Sequence, residues 1–306
     1  MPPQRLRIHQ AACSAVCALV RGRDGLGLAP SAPPPGAAVC EWPRIRLAVA
    51  SPYPTAGLSA SAGGAMVLAW QPGIVQSIAL PDLARAFDRR PPGLAEALGA
   101  GRANAALLRA DDGSRAVVLP RLGARISELG PGPVAISASA QQVAVHAAGT
   151  TLVVPLGGGA PLAEYPGELD ALVFAGEELW VSHAGAVAPA GSLQAGTQAP
   201  IRALAGAAGG AGVLALGAAD ELRYTSAGAS TIWRAVVEDV QAISLSDDGA
   251  WATLAGAEAV AVVRATDGAI GVYVSGASAI AMAADRRIVV GGEWGLALIV
   301  PVEESA

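Results

Sequence analysis

An all-β fold built from a repeated four-stranded unit is what the sequence predicts, and three observations predict it. First, the stretch Asp239–Val274 reads as four short strands divided by turns, with Ile243 and Leu245 alternating with Ser244 and Ser246 in the period-2 signature of a half-buried strand. Second, Asp248-Gly249 and Asp267-Gly268 are hairpin signals, because glycine reaches the positive φ that tight turns need. Third, alanine followed by a branched aliphatic residue recurs at Ala48-Val49, Ala97-Leu98, Ala135-Ile136, Ala171-Leu172, Ala203-Leu204, Ala242-Ile243 and Ala279-Ile280. Successive spacings are 49, 38, 36, 32, 39 and 37 residues, and β-hairpin patterning follows each copy. A four-stranded unit of about 40 residues is the size of one β-propeller blade. Seven copies predict a single β-propeller domain over residues 1–306, with seven four-stranded blades; eight is the other count.

Residues 1–44 form an N-terminal closing segment and loop ahead of blades expected over 45–306. Arg5, Arg7 and His9 precede an apolar run, Ala11–Val20, which superficially resembles a signal peptide. No Ala-x-Ala cleavage site follows it, so the expectation is a cytoplasmic protein, with export the lesser alternative. No apolar run approaches the roughly 18 residues of a membrane span, so no transmembrane segment is expected. Cys13, Cys17 and Cys40, with His9, offer the soft ligands of a tetrahedral metal site, but their spacing matches no zinc module; small buried cysteines are the expected reading. Val20–Leu28 reads as a hairpin around Asp24-Gly25, either part of the ring or the remnant of an eighth blade. Ser31–Gly36 holds three consecutive prolines and is a loop.

Further along, strand patterns fall at Ala65–Trp70, Gln76–Leu80, Ala105–Arg109, Arg115–Leu119, Gln142–His146, Thr151–Pro155, Glu178–Ser182, Gly212–Leu216, Glu221–Tyr224, Arg287–Val290 and Leu296–Val300. The copy after Leu172 is the weakest, running into a Gly/Ala-rich segment. The last copy stops short of a fourth strand, so Arg5–Gln10 or Ala37–Trp42 is expected to complete it and close the ring, removing exposed edges. The one long spacing leaves an inter-blade insertion, 81–93. Asp82 can cap a short helix there, with Leu83, Ala86 and Phe87 as its apolar stripe and Arg85, Arg89 and Arg90 elsewhere. Because binding concentrates on loops carried by rigid scaffolds, Arg85, Phe87, Arg89 and Arg90 are the candidate interaction residues.

The pattern resembles the WD40-like β-propeller superfamily over most of the chain. Trp70 ends its strand where WD repeats keep tryptophan, but Gln71 stands where they have Asp, and the Gly-His pair is missing from every copy. The resemblance is therefore one of degenerate repeats and not of the WD40 motif itself. It implies an interaction platform.

Composition narrows function further. The 53% hydrophobic content is mostly alanine, aromatics are 4%, and charged residues are 15% against a usual quarter. All 20 basic residues are arginine, which together with abundant Ala, Gly and Pro suggests a GC-rich, bacterial coding sequence. A mean hydropathy of +0.45 with so few charges suggests a surface partly covered by partners. A net charge of −5 argues against a general nucleic-acid binder, although residues 1–130 carry 14 Arg against 8 acids and residues 131–306 carry 6 Arg against 17. No Gly-x-Ser-x-Gly elbow is present, the Gly157–Gly159 and Gly209-Gly210 runs lack a Lys-Ser/Thr partner, and the Asp-Gly turns lack the alternating acids of a calcium loop. Inner-strand positions offer Ala, Ser and Gly, with Asp170 and Glu96 nearby, and His9, His146 and His183 are scattered. No catalytic residue, metal ligand or cofactor is assigned. The expected function is a non-catalytic scaffold or structural subunit of a bacterial multiprotein assembly, with other proteins as partners. The alternatives are a lactonase-like metal-assisted hydrolase using the central channel, or an exported ligand-binding propeller.

Overall fold

A computed structural model describes residues 7–8, 11–22, 25–60, 66–71, 74–80, 83–89, 94–100, 105–110, 115–119, 124–126, 132–139, 141–194, 196, 199–226 and 229–302, with backbone alone over 84–126. The fold is all-β. Its described strands make seven sheets, antiparallel at every strand pairing but one.

The chain opens with a hairpin, β1 (Val16–Gly22) and β2 (Gly25–Pro30), where Asp24-Gly25 predicts one. β3 (Ile45–Ser51) follows the proline loop. The next sheet holds β4 (Gly57–Ala60), β5 (Met66–Gln71), β6 (Ile74–Ala79) and β7 (Ala84–Arg89). Then come β8 (Leu94–Ala100), β9 (Ala105–Ala110), β10 (Arg115–Leu119) and β11 (Ala124–Ile126). The third group is β12 (Val134–Ile136), β13 (Gln142–Ala147), β14 (Thr150–Pro155) and β15 (Ala163–Pro166). A three-stranded sheet follows, β16 (Ala171–Ala175), β17 (Glu178–His183) and β18 (Ala186–Pro189), at the copy whose Gly/Ala-rich end carries least strand patterning. β19 (Ala203–Gly206), β20 (Val213–Leu216), β21 (Glu221–Ser226) and β22 (Ala229–Arg234) make the next. β23 (Ala242–Leu245), β24 (Trp251–Ala255), β25 (Ala259–Arg264) and β26 (Ile270–Ser275) come after it, and β27 (Ala279–Met282), β28 (Ile288–Gly292) and β29 (Gly295–Pro301) end the chain.

The first strands explain how the sheets meet. β4 packs against β8, β9 against β12, β12 against β16, β16 against β19, β19 against β23, β24 and β25 against β27, and β27 and β28 against β4. Every sheet therefore has a neighbour on both sides. The core lies in the layers between sheets, where alternating side chains leave the pleat toward the next face. Leu214, Leu216 and Leu222 meet Leu254, Val263 and Ile270 in one layer. Val67 and Ile78 meet Val289, Leu296 and Leu298 in another, and Val153 meets Leu172, Phe174 and Val181 in a third. Each such fully buried side chain contributes on the order of 1.5–3 kcal/mol of transfer free energy. Alanine beside them keeps the sheets close, so a core poor in aromatics still packs.

Three expectations require correction. The strand that completes the last sheet is β3, paired antiparallel with β29 from Leu296↔Ser51 to Pro301↔Ile45, where Arg5–Gln10 or Ala37–Trp42 is expected. Ile45 and Leu47, both fully buried, give β3 the alternation that pairing with an inner sheet requires. Ala48-Val49 consequently lies in a fourth strand and not a first one, and Leu58 on β4 opens the following sheet. Second, the β1–β2 hairpin is no separate unit: β1 adds to β26 in parallel, Val16↔Tyr273 to Ala18↔Ser275, making a six-stranded sheet. Third, the 81–93 stretch holds a strand, β7, where a helix is expected. Leu83 is buried and sits at φ 54°, outside the right-handed helical region, and β6 offers a ladder edge that β7 takes. Asp82, the expected helix cap, lies outside the described residues. Among the described residues, no helix is long and apolar enough to cross a membrane.

Candidate interaction surface

The candidate residues fall on an outer strand. Arg85, Phe87 and Arg89 stand across from Ile78, Ser77 and Val75 of β6, and a register shift between Ser77 and Ile78 leaves Ala86 as the extra, bulged residue. β7 is the last strand of its sheet, so the structure brings three of the four residues together on one edge strand. Arg90 lies outside the described residues.

Two further surfaces emerge from the turns. The turns joining first to second strands are tied from sheet to sheet by backbone hydrogen bonds. Ala138 N–H donates to Gly176 O (3.2 Å), Gly176 N–H to Ala207 O (2.9 Å) and Gly209 N–H to Asp247 O (2.8 Å). Ser139 N–H adds a bond to Glu177 Oε1 at 3.0 Å. In the next sheet along, Asp248 accepts from Ser246 Oγ at 2.5 Å and from Ala250 N–H at 3.0 Å, which holds its carboxyl below the usual carboxylate range. Burial, with Asp248 nearby, pushes the Tyr224 phenol up.

The series ends at a cluster of two tryptophans and an arginine. Trp42 and Trp251 meet edge to face with centroids 4.7 Å apart, and the Arg286 guanidinium lies 5.3 and 5.7 Å from the two rings. Arg286 sits at φ 64°, an uncommon conformation for a side-chain-bearing residue. Gly271 is required beneath the rings, since a Cβ there would fall 2.5 Å from Trp42 Cε3 and 2.9 Å from Trp251 Cζ3. Trp42, from the loop before β3, thus fastens the N-terminal segment to two sheets through aromatic and cation–π contact. Two of the other tryptophans do related work: Trp233 Nε1 donates to Ala265 O of the next sheet (3.0 Å) and Trp294 Nε1 to Gly276 O (3.1 Å).

Turns from second to third strands, with the connections between sheets, carry acids. Glu168, Glu221, Glu238, Asp239, Glu258 and Glu293 are all exposed there. Arg202 answers part of this charge by pairing with Asp220. His146 lies on β13, buried, with Nδ1 3.0 Å from Thr151 Oγ1 and Nε2 3.8 Å from Glu168 Oε2. Thr151 is 1% exposed, so this arrangement offers no accessible nucleophile. His183 ends β17 and Asp170 precedes β16. Cys13 and Cys17 are buried, and burial beside Cys13 pushes the Cys17 thiol up to about 12, leaving it protonated and inert. Cys40 contacts Ile270 O at 3.2 Å, and burial raises its thiol as well. Among the described residues, no three His, Cys, Asp or Glu side chains come together as metal ligands. His9 lies outside them.

Sequence reasoning passed over the Trp42–Trp251–Arg286 cluster. Its members lie far apart in the chain, and only the placement of the proline loop across β26 joins them. The chain matches no family model and no curated protein.

Proposed function

We propose that the chain is a seven-bladed β-propeller of the WD40-like type that serves as a non-catalytic protein–protein scaffold, or structural subunit, of a bacterial cytoplasmic assembly. The observation that carries the reading is the cyclic packing of seven sheets, tied by turn-to-turn backbone bonds and closed by a strand from the opposite end of the chain. Such a ring is a rigid platform whose turns and outer strands are free to vary, which is where binding residues reside on rigid scaffolds. In this reading β1–β2 is an ornament on the sixth blade and β3 the clasp of the seventh. The outer strand β7 carries the docking residues Arg85, Phe87 and Arg89, with Arg90 next in sequence, an aromatic anchor among arginines of the kind that dominates binding energy at interfaces.

Affinity copurification from the native host tests this, with mass spectrometry and metal analysis on one sample. Stoichiometric partner proteins are expected. The Arg85→Ala/Phe87→Ala/Arg89→Ala/Arg90→Ala variant is expected to lose them while keeping the wild-type circular dichroism spectrum. A lone protein carrying one divalent metal ion would overturn the scaffold reading and direct attention to the ring's centre as a hydrolase site.

A further inference from the structure

Edge strands in natural sheets are guarded, because their free N–H and C=O groups invite another strand. Most outer edges of this chain follow that rule. β2 ends in Pro30 and is bridged by Ile8, with Leu26 N–H bonded to Arg7 O. β3 is buried along most of its length and bonded at Ile45 to Cys13. β15 and β18 are four residues each and end in Pro166 and Pro189. β11 is three residues, and β7 carries Arg85, Asp88 and Arg89. β22 differs on every count. It runs six residues, Ala-Ser-Thr-Ile-Trp-Arg, without proline, and its one charge is at its end. All its residues but Trp233 are exposed, and Ile232 at 58% is among the most exposed large apolar side chains described.

Its free groups can be assigned. Ala235 N–H donates to Asp220 O, so in the alternating antiparallel ladder Trp233, Thr231 and Ala229 bond inward to β21. Ser230, Ile232 and Arg234 therefore turn their N–H and C=O outward. The equivalent strand of the next sheet, β26, receives β1 along the same side, so an outer edge in this fold does accept an added strand.

We propose that β22 is a self-association edge, pairing antiparallel with β22 of a second copy of this chain about a twofold axis through Ile232. The row is self-complementary in that register. Ile232 faces its own counterpart, Ser230 faces Arg234, and Arg234 faces Ser230, so apolar meets apolar and no like charges are opposed. All three outward residues meet outward residues, giving about six inter-chain backbone hydrogen bonds in an isologous contact. The two sheets become one of eight strands. A contact of this length is smaller than a standard protein interface, so the dimer is a reversible one that grows with concentration. This surface is separate from β7 and does not depend on the scaffold reading.

Sedimentation velocity of the full chain, from low micromolar to near-millimolar concentration, is the test. A monomer–dimer equilibrium is expected for the wild type, weakened at least tenfold in Ile232→Lys and in Ser230→Pro. Ser230 has no inward backbone bond to lose and Ile232 is exposed, so both variants keep the wild-type melting temperature. Ile232→Val should retain the dimer. A wild type that stays monomeric throughout, or a dimer unchanged by both Ile232→Lys and Ser230→Pro, would overturn the proposal.

Discussion

Small residues decide how this chain packs. Leu214 is wholly buried between two sheets, between Ala205 and Tyr224 on its neighbouring strands. Leu214→Ala is expected to cost ~2–5 kcal/mol, toward the upper end because rigid ladders on both sides resist relaxation; urea denaturation reads the loss. Asp248 tests the turn chemistry. Its carboxylate is favoured in the folded turn by Ser246 and the Ala250 amide, so its stabilisation is present above the ordinary carboxylate range and lost as pH falls through its lowered value. Asp248→Asn should therefore melt below wild type at neutral pH, with the gap closing as the pH drops under about 4. At this scale the sequence was readable where a residue's own type sets its fate, as for Cys13 and Cys17. It was silent on Trp42 and Arg286, whose roles depend on a loop laid across two sheets.

Strands within sheets were legible in proportion to their burial. Second strands carry runs of buried aliphatic and small residues dense enough to be found, as at Gln142–Ala147, Val213–Leu216 or Ile288–Gly292. Outer strands such as β15 and β22 bury little, so nothing in Ala-Glu-Tyr-Pro or Ala-Ser-Thr-Ile-Trp-Arg announces a ladder. The same shortage of signal let β7 pass for a helix. The β1–β2 hairpin is the element with most to test. It contributes Cys17 and Leu26 to a core it shares with β3, β26 and β28. Deleting residues 1–30 should lower the melting temperature and expose β26, and faster amide exchange at Tyr273, whose N–H donates to Ala15 O, is the expected readout.

Across the whole molecule, seven Ala-aliphatic signals and seven sheets coincide in number for a partly mistaken reason. Six signals mark first strands, while Val49 marks the strand that completes the last sheet. Spacing alone could not separate these cases, because a first and a fourth strand differ by partner and not by pattern. If the sheets depend on one another around the circuit, removal of residues 1–51 should damage more than one sheet. That deletion is expected to replace a single cooperative thermal transition with a broad one, with light scattering rising as the β29 edge is left bare.

The pairing of β3 with β29 also sets a schedule for synthesis. β3 leaves the ribosome almost a whole chain ahead of its partner, and at about 5–20 residues per second the wait is roughly 10–50 s. Throughout that interval an apolar strand, Ile-Arg-Leu-Ala-Val-Ala-Ser, has no ladder to join. Nascent chains stalled before residue 295 should consequently be bound by chaperones or cleaved near residues 45–51, while chains released past residue 301 resist both. The clasp that finishes the molecule is, until then, its most vulnerable segment.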